Sequence, residues 1–351
     1  MKLITIPLSM IFRFIVFLRN KFYDNGYIKQ KQLDCIVISA GNISTGGTGK
    51  TPFVELIADY LLDNEKFVVI LLKGYMREHD DIKVIELGYD NVKRKLTTEN
   101  IGDEAFLFLE NIESRKGRCL IIVGEDKTKT ANFAVRKFKP EIMIIDDGFQ
   151  HRKICKDLDI LIMDDNEGKF LIPAGNLREP KKSRIRADLV ILNEKFDEKK
   201  FFGYNWASAA AIGNYQLKSF QNHKKEASII KGKQAVAFCG IGDPGSFKKL
   251  LILNQIELLN FIQFRDHHNY TSTDIQDIIT SFEKLKAELI ITTQKDFVRI
   301  RNSEIVLETS GDNIYKQLLF NYPLYYPIIK MQIRKNGEDL YSHLDKVVKL
   351  V

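Results

Sequence analysis

The sequence predicts an α/β fold: a P-loop lobe on a mostly parallel sheet, a second, smaller α/β lobe, and an N-terminal helix lying in a membrane interface. Three observations carry this. Short β-branched apolar runs alternate with stretches of helical spacing; a glycine-rich turn, Gly41 to Gly49, separates one such run from an amphipathic stretch; and the first two dozen residues are far more apolar than the rest. A length of 351 residues at 44% hydrophobic and 28% charged is enough for two domains and excludes disorder, collagen and coiled coil. The formal charge of +7 favours an anionic partner, with nucleotide, nucleic acid and lipid all open at this level. Cys35, Cys119, Cys155 and Cys239 lie far apart with no C-x-x-C pair, so they read as reduced thiols and not as a disulfide framework or zinc site.

In chain order, Leu3 to Leu18 (LITIPLSMIFRFIVFL) is interrupted by Pro7 and Arg13 and falls short of the ~20 clean apolar residues that span a bilayer. A helix starting near Pro7 places Ser9, Arg13, Asn20 and Asp24 on one stripe, flanked by Arg19 and Lys21, a pattern suited to an interfacial helix. FLRNKFYDNG follows where a secretory signal needs a small-residue cleavage site. Next come a strand at Cys35 to Ser39, the loop GNISTGGTG and a helix at Thr51 to Leu62. Gly49-Lys50-Thr51 closes the loop as a P-loop closes: backbone N–H groups of Gly46, Gly47, Thr48 and Gly49 wrap phosphates, Lys50 supplies charge and Thr51 can ligate magnesium. The strict pattern wants glycine where Ser44 stands. A P-loop also needs a metal-binding acid at a neighbouring strand end, and Ile142 to Ile145 leads straight into Asp146 and Asp147. Apolar runs at Phe67 to Leu72, Cys119 to Val123, Leu158 to Met163 and Leu189 to Leu192 complete a sheet covered on both faces. Further strands are expected at Ala235 to Cys239, Leu258 to Phe264 and Leu289 to Thr293, with a helix from about Thr273 to Lys286 and a closing amphipathic helix from Gly337.

GNISTGGTGKTP (Gly41 to Pro52), GDE (Gly102 to Glu104), DDGFQHR (Asp146 to Arg152), PAGNLREP (Pro173 to Pro180) and DHH (Asp266 to His268) occur in order, and together they resemble the tetraacyldisaccharide 4'-kinases of lipid A biosynthesis. The resemblance runs from Pro7-Leu8-Ser9 to about Lys295-Asp296. Two departures stand out: LKGYMR at Leu72 to Arg77 where that family more often has S-R-G-Y-G-R, and Ala105 after GDE where proline is common. The resemblance implies two α/β lobes joined by a short β linkage around a cleft, with ATP and Mg2+ as cofactors. It further implies transfer of the γ-phosphoryl group to the 4'-hydroxyl of an acylated glucosamine disaccharide 1-phosphate, forming lipid IVA. The setting it implies is the cytoplasmic face of the bacterial inner membrane, peripheral or monotopic, with the membrane surface as partner and no nucleic acid. The corresponding division is 1–30 for the membrane-associated helix, 31–203 for the nucleotide-binding lobe, 204–327 for the second lobe and 328–351 for a C-terminal strand and helix.

By the same resemblance Asp103 accepts the sugar hydroxyl proton, His267 hydrogen bonds to Asp103, Lys50 completes the catalytic set, Arg178 touches the ATP phosphates, and Glu179 helps Thr51, Asp146 and Asp147 hold magnesium. Gln150 and His151 follow the metal acids closely enough to reach nucleotide or lipid headgroup; Arg77, Lys127 and Arg118 are candidates for the acceptor's 1-phosphate. Phosphoryl transfer to an alcohol needs this inventory of base, metal ligands and cationic donors. Taken alone, Asp103 after glycine reads as a helix N-cap, and Arg178 and Glu179 as a surface ion pair with Lys181 or Lys182. Two other functions compete. Gly240, Gly242 and Gly245 spell a dinucleotide fingerprint with Asp266 about twenty residues on, which is an NAD-binding oxidoreductase reading weakened by Pro244 inside the turn. GGTGKT also resembles deviant P-loop ATPase or GTPase switches, but lysine is missing at Thr45 and no N-K-x-D base reader is present. A four-chain acceptor would stay in the bilayer, since each buried CH₂ is worth ~0.8 kcal/mol. Deleting residues 1–24 is therefore expected to lower membrane recovery more than it alters the ATP site.

Overall fold

The computed structural model describes residues 2–45, 49–74, 81–88, 98–114, 116–163, 168–193, 210–302 and 313–350. The opening apolar run forms α1 (Lys2–Asp24), which begins ahead of Pro7 and carries that proline inside it. A proline this close to a helix start removes one backbone bond at an end that frays in any case. The polar stripe faces the protein only in part: Ser9 Oγ donates to the Leu171 carbonyl at 2.8 Å, and beside it Val16 is buried and Phe12 packs on the cluster that holds Ile43, Phe149, Leu171 and Leu177, whereas Arg13 and Asp24 are exposed. The apolar side is left outside, with Met10, Ile11, Phe14, Ile15 and Phe17 all more than half exposed. Among the described residues no helix is long and apolar enough to cross a membrane.

The first lobe follows as β1 (Ile36–Gly41), α2 (Lys50–Asp63), β2 (Phe67–Leu72), β3 (Lys83–Glu86), α3 (Thr98–Ile101), α4 (Asp103–Asn111), β4 (Arg118–Val123), α5 (Lys127–Phe138), β5 (Ile142–Asp146), β6 (Leu158–Met163), a 3₁₀ turn at Lys181–Arg186 and β7 (Leu189–Asn193). Its strands run in the order β7-β6-β1-β5-β2-β4-β3, parallel throughout except for the edge pair β3 and β4. Side chains alternate across the sheet. Ile38, Ile70, Ile144 and Ile160 meet Phe53, Ile57 and Phe108 of α2 and α4 on one face. On the other, Val37, Leu71 and Met143 meet Ala131 and Ala134 of α5, and Leu161 and Met163 lie in the cluster that receives α1. Helices α1 and α5 therefore share one face, because Leu161 alternates with Ile160 as Val37 does with Ile38.

The chain leaves through β8 (Ala210–Gln221) and, after β9 (Ala227–Ser228), builds the second lobe from β10 (Gln234–Cys239), α6 (Pro244–Leu253), β11 (Glu257–Gln263), α7 (Ser272–Leu285), β12 (Leu289–Ile291), α8 (Gln294–Asn302) and α9 (Ile314–Phe320). It returns through β13 (Leu324–Lys335) and ends in α10 (Gly337–Val348). Strand β8 starts parallel to β7 (Val190 opposite Ala210) and then pairs antiparallel with β13 from Ile212 opposite Lys335 to Gln221 opposite Tyr326. Strand β13 starts parallel to β12 (Ile290 opposite Leu324). The join between lobes is thus a pair of 12-residue strands, longer than a short linkage, and the expected division at 327/328 falls inside β13. The other division, at 203/204, lies outside the described residues. Because β8 runs on past the carboxyl end of β7 and β13 does the same past β12, the carboxyl edges of the two parallel sheets face one another. Loops at those edges form the site, as open α/β sheets require.

Candidate active site

Strand β1 ends at Gly41, where a Cβ would sit 2.7 Å from Phe149, so only glycine lets the two loops close. Thr45 N–H donates to the Asn176 carbonyl at 2.6 Å and Arg178 N–H to the Ile43 carbonyl at 2.7 Å, which lays the NLREP segment along the start of the P-loop. Gly46, Gly47 and Thr48 lie outside the described residues. Gly49, at φ +78°, passes the chain into α2, with Lys50 and Thr51 at the helix start. Tyr215 of β8 reaches across from the joining strand and its hydroxyl donates to the Gly49 carbonyl at 3.1 Å.

Asp146 ends β5 and Asp147 follows with a left-handed backbone, φ +49°. Lys127 holds that turn: buried, it donates to the Asp146 carbonyl and, at 2.8 Å, to that of Asp147. Its assignment to the acceptor's 1-phosphate is therefore corrected, since the ammonium is already spent on backbone. Arg118 is corrected too; it pairs with Glu86 and lies over Phe67 at the start of β4, the opposite sheet edge. Arg77 lies outside the described residues. Lys50 Nζ stands 3.5 Å from Asp147 Oδ1 and 3.3 Å from Asn42 Oδ1, while Arg178 is 2.6 Å from Asp147 Oδ2. Burial raises the Asp147 pKa, but Lys50, Arg178 and Lys127 outweigh it and hold the carboxyl below its ordinary value. Asp146 is pushed up to about 7 by burial and by Glu104, against the pull of Lys50.

The magnesium expectation fits the donor set. The buried Asp146 Oδ1 lacks a hydrogen-bond partner among the described residues and Asp147 Oδ1 has Lys50 only at ion-pair distance, 3.5 Å, a costly state for carboxylates that a metal cation would relieve. Mg2+ takes one or two protein carboxylates and completes its shell with phosphate and water, so the two acids would suffice.

Glu179 does other work. Its side chain is wholly buried, with Arg19 at 2.6 Å on Oε1, and Arg186 at 2.7 Å and Asn20 at 3.0 Å on Oε2. Burial would raise its pKa, but Arg186 and Arg19 hold it below the ordinary value. Its expected part in holding magnesium is replaced by an anchor that fastens α1 beside Arg178. Gln150 and His151 are engaged within the lobe: Gln150 Nε2 donates to the Asn42 carbonyl at 2.6 Å, and the His151 ring lies 3.1 Å from Thr128 Oγ1. Burial together with Lys127 and Lys156 lowers the His151 pKa to about 4, so the ring is neutral at physiological pH.

The second half of the site joins Asp103 of the first lobe to side chains that come across the cleft. Asp103 opens α4 and is almost buried. His267, itself left-handed at φ +57°, places Nδ1 3.6 Å from Asp103 Oδ2, adjacent but longer than the expected hydrogen bond. Arg299 of α8 stands between them, 2.5 Å from that same oxygen and 3.3 Å from His267 Nδ1. Its other nitrogen donates to Asp296 Oδ1 at 2.8 Å and to the Gly240 carbonyl at 3.0 Å. Burial would raise the Asp103 pKa, yet His267, Lys295 and Arg299 together hold it well below the carboxylate range. Sequence reasoning missed Arg299; the only signal was its place in TQKDFVR, three residues past Asp296, where the resemblance ends. Asp296 accepts from Gly240 N–H at 3.0 Å and from Thr293 Oγ1 at 2.6 Å, which gives the glycine turn a structural purpose. Asp243 caps α6 by accepting from Ser246 N–H at 3.0 Å, taking a donor a pyrophosphate would need, and a Cβ on Gly242 would lie 3.0 Å from the Asp266 carboxylate. The oxidoreductase reading is not favoured by this arrangement.

A P-loop on a parallel sheet, an acidic pair at the neighbouring strand end, and a further carboxylate of the same lobe met by a histidine and an arginine from the opposite edge define a P-loop phosphotransferase. The family described as tetraacyldisaccharide-1-P 4'-kinase matches residues 1–347, and the chain belongs to it. It is 35% identical over 312 residues to a tetraacyldisaccharide 4'-kinase of Aquifex aeolicus, covering 86% of this chain and 90% of that one. With the enzyme of the same name from Koribacter versatilis it shares 30% over 349 residues, 98% of each. A crystal structure of the Aquifex aeolicus protein in complex with ATP superposes with a TM-score of 0.75 at 31% identity, covering 98% of both chains.

Proposed function

We infer that this protein transfers the γ-phosphoryl group of ATP to the 4'-hydroxyl of a tetraacylated glucosamine disaccharide 1-phosphate, giving lipid IVA. The observation that carries the reading is the meeting, across the cleft, of Lys50, Asp146, Asp147, Arg178 and Asp103 of the first lobe with Arg299 and His267 of the second. The P-loop wraps the phosphates of ATP, with Lys50 and Arg178 offsetting charge on the transferring oxygens. Asp146 and Asp147, with Thr51, would hold Mg2+, which would supply Lewis-acid charge to the phosphates. The acceptor oxygen attacks phosphorus as the bond to the β–γ bridging oxygen breaks, and its proton passes to the Asp103 carboxylate. Arg299 keeps that carboxylate ionised and therefore able to accept. In a loose transition state little proton transfer is needed early, so a weak base suffices.

The acylated acceptor places the enzyme at a membrane surface, on the cytoplasmic side where ATP is found, and the exposed apolar side of α1 is the part suited to meet it. The test is transfer of labelled γ-phosphate to purified tetraacyldisaccharide 1-phosphate in detergent by wild type, Asp103→Asn and Lys50→Ala. Labelled lipid from wild type, reduced by orders of magnitude in both variants, is the expected result. ATP binding with no labelled lipid would move the assignment to a nucleotide switch.

A further inference from the structure

On the same sheet face as α1, a groove of about 660 Å³ is lined by Lys31, Lys129, Asn132, Phe133, Arg136 and Lys137. Four of the six are cations, and all four are exposed. None stands within ion-pair distance of a carboxylate among the described residues. Asp126, at the head of α5, already accepts from the N–H groups of Thr128 and Lys129. Phe133 gives the groove an apolar wall, and Lys137 Nζ lies over it at 5.3 Å and over Phe138 at 5.4 Å. The phosphotransfer site makes no use of any of these side chains.

Position decides what such a groove can meet. Lys31 is tied by backbone bonds to Lys153 and Cys155, in the strip that runs from the end of α1 to the base of β1. Arg152, next to Lys153 in the loop between β5 and β6, holds the end of α1 through Asp24 at 2.8 Å and the Asn20 carbonyl at 3.1 Å. The outward sides of α1 and α5 thus belong to one surface, apolar along α1 and cationic along α5. Of the cations that flank the α1 stripe, Arg19 is committed to Glu179. An apolar band beside unpaired cations is the arrangement that inserts at the acyl boundary and pairs with headgroups above it.

We propose that the groove between Lys31 and α5 binds the phosphate of anionic phospholipid headgroups, making a second contact with the bilayer that fixes how the cleft faces it. The proposal rests on the membrane reading above but not on the identity of the acceptor. The experiment is vesicle flotation of the full chain on phosphatidylcholine alone and on phosphatidylcholine with phosphatidylglycerol. It compares wild type with Lys31→Gln/Lys129→Gln/Arg136→Gln/Lys137→Gln and with the milder Arg136→Gln/Lys137→Gln, thermal melting serving as the check on folding. The expected result is a phosphatidylglycerol-dependent gain in wild type that falls roughly tenfold or more in the fourfold variant and partly in the double variant, with binding to phosphatidylcholine alone unchanged. An equal gain in wild type and variants, or no gain in wild type, overturns the proposal. So does displacement by inorganic phosphate at matched ionic strength, which would make the groove a site for the free anion. Failure of the kinase reading would leave the flotation ratios untouched, so the two fail separately.

Discussion

Replacing Arg299 with methionine tests the bridge across the cleft. The guanidinium is 10% exposed and satisfies two carboxylates that are 8% and 0% exposed, Asp103 and Asp296. Methionine fills much of the space but leaves both acids short of a cation, and breaking a buried pair from one side costs about 3–5 kcal/mol. Asp296 keeps Gly240 N–H and Thr293 Oγ1, so most of the loss falls on Asp103, left with His267 and Lys295. A carboxylate whose folded pKa lies below its unfolded value of about 3.9 adds stability above that value and loses it as pH falls through the folded pKa. The variant's Asp103 is depressed less, so its deficit against wild type should be full near pH 7 and shrink in acid. Urea denaturation at pH 7.5 and at about pH 3 reads the first effect. The second is kinetic: if Asp103 must be ionised for turnover, the acid limb of the kcat/KM profile moves to higher pH in the variant. A deficit under about 1 kcal/mol at pH 7.5 with an unmoved acid limb would refute the bridge, because a buried cation 2.5 Å from the base cannot leave without one effect or the other.

Glu55 gives a second pH signature. It is buried between α2 and α4, accepts from Asn111 at 2.9 Å, and burial pushes its pKa up to about 8. The folded state therefore holds a proton that the unfolded chain releases near pH 4.3, and stability from this group falls as pH rises between those values. Glu55→Gln should flatten that fall, gaining on wild type by roughly 2–5 kcal/mol at pH 8.5 relative to pH 4.5 in thermal melts. Removing residues 1–24 should impair ATP binding as well as vesicle recovery, because buried Glu179 loses Arg19 and Asn20 right beside Arg178. Ile11→Ser/Phe14→Ser/Ile15→Ser, all on the exposed side, should lower flotation and leave ATP affinity within about twofold, each exposed apolar residue contributing little to folding. Gly49→Ala should abolish ATP binding, since φ is +78° and the added Cβ would lie 1.9 Å from the Tyr215 hydroxyl; calorimetric titration with wild-type affinity would refute that packing.

What could be read in advance was local. The strand and helix that flank the glycine loop, and the acids closing β5, carry their meaning within a dozen residues, and these elements lie where they were expected. The strands of the second lobe were legible for the same reason, each being a compact apolar run. Long-range partners were not. Glu179 follows Arg178 in a segment that suggested metal binding, and only the fold shows Arg19 arriving on it from 160 residues away. Arg299 sits on a helix whose composition marks it as solvent-facing, yet it reaches Asp103 across a separation of 196 residues. Strand β8 went unread because Asn214, Gln216, Lys218 and Ser219 interrupt its apolar residues, as suits a strand that changes neighbours midway.

Strands β8 and β13 carry the chain out of the first lobe and back, and they pair with each other. In folding terms the second lobe is an insertion in the arm of a long hairpin, and that hairpin cannot zip until the hundred or so intervening residues have brought their ends together. The entropic cost of that closure grows only with the logarithm of loop length, so a compact inserted lobe is tolerated. Once zipped, the pair makes a poor swivel. Opening the cleft must bend or twist a ladder of backbone hydrogen bonds, which resists shear along its length and yields to curvature. Motion between the half-sites is thereby confined to one direction, and each closure returns Asp103 and Arg299 to the same register.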